Sequence, residues 1–149
     1  MLGWMQSLLS KEADRPEIPE SERVRLATCV LLMEAAKADE EFSPEERDRI
    51  TAILRGRFAL SDTEAAELVQ ASETARAERY DLWHFTHQIN QACSVSEKVA
   101  IIEELWRVTF ADGTLDGYED HLVHKVAHLL NLNHPQLIEA KLRARDGAK

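Results

Sequence analysis

The sequence predicts an all-α protein, a compact bundle of about seven helices, and three observations carry that expectation. Leu, Ala, Glu and Arg dominate the chain and are good helix formers, whereas Gly (five) and Pro (four) are few. Apolar residues recur at helical spacing in segment after segment, and no stretch alternates as a strand would. Ser-x-x-Glu or Asp-x-x-Glu signatures, which close free helix N–H groups reciprocally, stand before four of those segments. At 149 residues, 44% apolar and 30% charged, the chain is the size of one domain able to bury a core without staples.

In chain order, Leu2, Met5, Leu8 and Leu9, with Trp4 beside them, form a short helical pattern expected to dock on the domain. Peripheral membrane association through residues 1–10 is the alternative, disfavoured because only Lys11 and Arg15 supply positive charge nearby. Pro16 and Pro19 mark a linker, so residues 1–19 are read as a short helix plus linker and 20–146 as the helical domain. From Ser21, Val24, Leu26, Ala27, Val30, Leu31, Leu32 and Met33 predict a deeply buried helix running to about Ala38.

Ser43 with Glu46, and Pro44 at the first helical position, open a helix carrying Ile50, Ile53 and Leu54 that is expected to fray near Gly56. Ser61 with Glu64 opens another, to about Ala77, with Ala65, Leu68 and Val69 inward. Tyr80 to Cys93 reads as a further helix, and Trp83 and Trp106 as core aromatics. Ser94 with Glu97 begins a long apolar helix through Phe110, and Asp116 with Glu119 begins one with Leu122, Val123, Val126 and Leu130 inward. Asn131 to Asn133 interrupt the pattern before a last helix, about Pro135 to Arg145, with Leu137, Ile138 and Leu142.

One acidic block is written twice. Ala38-Asp39-Glu40-Glu41-Phe42-Ser43-Pro44-Glu45-Glu46 lies over Ala111-Asp112-Gly113-Thr114-Leu115-Asp116-Gly117-Tyr118-Glu119. Asp39 then falls on Asp112, Ser43 on Asp116 and Glu46 on Glu119, and the register continues with Ile50 on Val123 and Ile53 on Val126. A short acidic helix–loop–helix is therefore written twice in one small domain.

Two readings of this block stand open. Capping explains Ser43/Glu46 and Asp116/Glu119 with no ligand, as it does Ser61/Glu64 and Ser94/Glu97. The repeated blocks alone place an Asp seven residues before the Glu, where the other two have Arg57 and Asn90. An Asp just past a helix C-terminus faces the negative end of the helix dipole, and an Asx turn or a bound cation would compensate. The cation's ligands would be Asp39, Glu46, Asp112, Asp116 and Glu119, hard oxygen donors suited to Ca²⁺, Mg²⁺ or Mn²⁺. Asp112, Thr114, Asp116 and Gly117 echo the start of an EF-hand loop, but Val123 stands where the bidentate Glu is needed, so an EF-hand is rejected.

These residues resemble the TerB-like family, the tellurite-resistance-associated domain related to the N-terminal region of the DjlA co-chaperones. The likeness rests on both acidic blocks after long apolar helices and above all on LWRVTFADGTLDGYEDHLVHKVAHLL, and it spans roughly residues 20–145. The first block departs from the family pattern in having Glu40 where Gly is frequent. The resemblance implies two halves that bring the acidic residues together, and ligands at Asp39, Glu46, Asp112 and Glu119, with Asp116 as a further one. It also implies a metal-binding role in a stress or metal-ion response, often near the membrane through partners; it does not imply an established catalytic activity, and it favours the cation reading.

Other classes fit less well. His121, His124 and His128 share a helix face that could hold Zn²⁺, but no Cys or second helix visibly completes the site, and a polar surface is the plainer reading. His84 and His87 form a similar pair. No phosphate loop, GxSxG elbow or HExxH is present, so an enzyme is not expected. Net charge −9, from 27 acidic and 18 basic residues, opposes nucleic-acid binding. No apolar run approaches the roughly 18 to 20 residues of a membrane span, and MLGWMQSLLS lacks the basic start of a signal peptide. Cys29 and Cys93 lack pairing spacings and read as small buried hydrophobes, which suits a reducing cytoplasm. The leading expectation is a non-enzymatic cation-binding module acting through protein partners; the rival is an interaction domain whose acidic loops only cap helices.

Overall fold

Eight consecutive residues, Leu26 to Met33, are all buried in the first helix, α1 (Glu20–Ala35). A helix apolar on every side belongs at the centre of a bundle. It packs against α2 (Pro44–Phe58), α3 (Asp62–Ala77), α4 (Leu82–Ala92), α5 (Val95–Phe110) and α6 (Gly117–Leu129). The last helix, α7 (His134–Gly147), lies along α5 in the most extensive helix contact. The computed structural model describes residues 19–36, 43–78, 81–110 and 117–147, with the side chains of 117–120 and 147 outside that description. The expected all-α class holds: seven helices and no strand lie among the described residues. The N-terminal pattern and most of the linker, residues 1–18, fall outside them.

Three of the four expected caps form as their spacing predicts, and the fourth, Asp116 with Glu119, lies outside the described residues. Ser43 Oγ accepts from Glu46 N and Glu46 Oε1 from Ser43 N, both at 3.1 Å. Ser61 and Glu64 close the same ring at the start of α3, and Ser94 and Glu97 at the start of α5. A further ring, unforeseen, closes between Asn133 and Gln136 ahead of α7. Asp81, whose Oδ1 accepts from His84 N at 3.2 Å, caps α4, so that helix starts at Leu82 and not at Tyr80. Helix α1 stops at Ala35, short of Ala38. Helix α2 continues through Gly56 to Phe58 and ends on Ala59 in the left-handed region, φ 54°.

Trp83 corrects another expectation. It is 56% exposed and stacks on His87 at 4.4 Å, one turn further along α4. The buried side of α4 is drawn by Phe85 and Ile89, and a residue two before Phe85 points about 200° away from it. Trp106 is in the core as expected, with no exposed surface. Leu142 is exposed; α7 instead buries Leu137, Ala140 and Ala144, and small alanines let it lie close to α5. The residues paired by the sequence register, Ile50 and Val123, are both buried.

Between helices, Arg76 Nε donates to Glu34 at 2.7 Å, joining α3 to α1, and Arg47 donates to Glu73 at 2.7 Å, joining α2 to α3. Asn90 Nδ2, on α4, donates to the Leu129 carbonyl at 2.9 Å and so satisfies one of the orphan acceptors at the end of α6. No helix among the described residues is long and apolar enough to cross a membrane.

Candidate functional site

Each acidic block lies in the connection behind a core helix, the first between α1 and α2 and the second between α5 and α6. Of the five oxygen ligands expected from the sequence, Glu46 is the one whose side chain is described. Asp39, Asp112 and Asp116, together with the Glu119 side chain, lie outside the described residues, and so does their mutual approach.

Glu46 sits in the first turn of α2, half-buried, with Oε1 held by the Ser43 amide. Its carboxylate stands in the first turn, at the positive end of the helix dipole. A carboxylate offers about four acceptor positions on two oxygens, and the cap uses one of them. Glu46 is therefore placed as a structural cap whose chemistry still admits ligation. By itself it is one carboxylate, and among the described residues no three His, Cys, Asp or Glu side chains gather as a metal cage would require.

Among the described residues, His121, His124 and His128 of α6 are not gathered as a metal-holding group. His121 and His128 are exposed, whereas His124 turns inward, edge-on to Trp106 with centroids 6.0 Å apart. Its imidazole neighbour comes from another helix: His134, at the start of α7, with ring centroids 6.4 Å apart. His134 carries no helical-spacing signal, because it stands on a different helix from His124. Its place just after the Asn-Leu-Asn turn was the available signal, since a short turn keeps the start of the next helix near the last one.

A cleft of about 410 Å³ opens where α1, α2 and α4 meet, floored by Val24, Phe58, Ala92 and Cys93. Arg25 reaches over the Phe58 ring at 5.8 Å and bonds Glu22 at 3.3 Å, and Arg57 on the rim is held by Glu104 at 2.6 Å. Burial pushes the Cys93 thiol above its ordinary value, and the fully buried Cys29 is pushed up to about 12, so both are weakened as thiolate nucleophiles. Both cysteines are free.

Neither a curated protein nor a solved structure matches the chain. The family model described as tellurite resistance protein TerB matches residues 25–142, a stretch that takes in most of α1, all of α2 to α6, most of α7 and both acidic blocks. That match covers well over half of the 149 residues, and the chain belongs to the TerB family.

Proposed function

We propose that this chain is a non-catalytic helical module that binds a divalent cation at its acidic interhelical blocks and acts through protein partners in a stress or metal-ion response of the tellurite type. The observation that carries the reading is that both acidic blocks lie inside the stretch matched to the TerB family. The ligands are Asp39, Glu46, Asp112 and Glu119, with Asp116 added in the second block. All are hard oxygen donors, so Ca²⁺, Mg²⁺ or Mn²⁺ is preferred over a thiophilic ion. The geometry of Glu46 supports a double role, because its cap engages Oε1 and leaves acceptor capacity on the carboxylate.

Calorimetric titration of metal-stripped protein tests this. Saturable binding of one of these ions, weakened at least about tenfold by Asp112→Asn, agrees with the reading. Heats no different from dilution for all three ions contradict it.

A second reading is favoured by the Ser43/Glu46 ring, which has the same form as the rings at Ser61/Glu64 and Ser94/Glu97. On it, the acidic blocks are caps alone and the module is an interaction domain. The exposed Trp83–His87 stack on α4 is then the first surface to probe.

A further inference from the structure

We propose that His124 and His134 form a two-imidazole seat for a borderline divalent transition ion, with Zn²⁺ as its test case. The two rings come from different helices, stand 6.4 Å apart between centroids and are tilted by 36°. A metal held by one nitrogen of each ring lies about 3 Å from each centroid, so the rings of a liganded pair stand about 5 to 6 Å apart. A turn of the exposed His134 side chain covers the difference.

The backbone between the rings is fixed at both ends. Asn131 takes the left-handed region at φ 64°, Leu132 N donates to the Ala127 carbonyl at 3.0 Å, and the Asn133/Gln136 ring starts α7. This holds α6 and α7 at one spacing. Trp106 fixes the His124 ring from the core side, so one imidazole is preset and the other adjustable.

Imidazole nitrogen selects Zn²⁺, Ni²⁺ or Cu²⁺ over Ca²⁺ or Mg²⁺. One nitrogen of each ring suffices; the other keeps whatever hydrogen bond it makes, as is usual for metal-bound histidine. Water completes the shell. The Lys141 ammonium, 4.8 Å from the centre of the Trp106 ring, adds positive charge on the α7 side and makes this a weak, reversible site. It differs in donors and in ion from the acidic blocks and does not depend on them.

The test follows the imidazole ¹⁵N resonances of the full chain as Zn²⁺ is added. His124 and His134 should shift together on one saturable isotherm, with Ca²⁺ leaving both in place. His134→Gln, at an exposed position, should weaken Zn²⁺ binding at least about tenfold without altering any Ca²⁺ or Mg²⁺ response, while His87→Gln on α4 changes neither. The proposal is overturned if the two rings respond separately or not at all, if His134→Gln leaves the affinity unchanged, or if His87→Gln removes it.

Discussion

Arg57 Nε donates to Glu104 Oε1 at 2.6 Å across the α2–α5 contact, joining residues 47 apart in the chain. The two side chains are 19% and 10% exposed, so this is the most deeply placed of the ion pairs between helices among the described residues. Breaking a buried pair by removing one partner strands the other charge, and that is costlier than replacing both. Arg57→Met should destabilise the fold by about 3 kcal/mol in urea unfolding, and Arg57→Met with Glu104→Leu should recover most of the loss. A double variant as unstable as the single one would show that the pair's attraction outweighs its desolvation.

The same pair sets a pH dependence. Burial raises the Glu104 carboxyl above its ordinary 4.5, and the Arg57 guanidinium opposes that shift without cancelling it. A carboxyl with a raised folded pKa binds more protons in the native state than in the unfolded one, so its contribution falls as pH rises from 4.5 through the folded value. The stability of the wild type minus that of Glu104→Gln should therefore fall with rising pH across that window. Denaturant unfolding of both proteins at several pH values checks the sign.

Gly56 lies inside α2 with nothing within 4 Å of the place a Cβ would occupy. Glycine in a helix interior keeps its entropy cost with no steric reason to be there. Gly56→Ala should stabilise the protein by about 0.5 to 1 kcal/mol, read as a higher denaturation midpoint with unchanged slope. Destabilisation would mean that α2 needs local freedom beside the cleft.

The helices and their caps were legible because their signals are local. Ser43, Ser61 and Ser94 each find a Glu three residues on, and a side chain bonding the adjacent turn needs no knowledge of the rest of the fold. Asn133/Gln136 is the same device in amide form, set in a turn that the spacing shows only as a break between helices. Orientation was harder. Trp83 is as apolar as Trp106, but on α4 the line of Phe85 and Ile89 faces the core, and hydrophobicity alone does not say which line wins. Pairs such as Arg57–Glu104 and Arg76–Glu34, 47 and 42 residues apart, depend on how helices are stacked and leave no mark in local spacing. For the site, the acidic repeat pointed to Glu46 and to a family, while the His124–His134 approach depends on the turn that leads from α6 to α7 as α7 lies along α5.

The central claim, that the repeated acidic block binds a cation, is tested most directly by thermal melting of metal-stripped protein with Ca²⁺, Mg²⁺ and Mn²⁺ added singly. An ion that binds only the native state stabilises by about 2.7 kcal/mol when present at a hundred times its Kd. For a chain of this length that is a rise of about 8 °C in Tm. Such a rise is expected for one of these ions, abolished by Asp112→Asn and untouched by Ser61→Ala, which removes a cap outside the repeat. A Tm that no ion moves, or a rise that Asp112→Asn leaves intact, would contradict it.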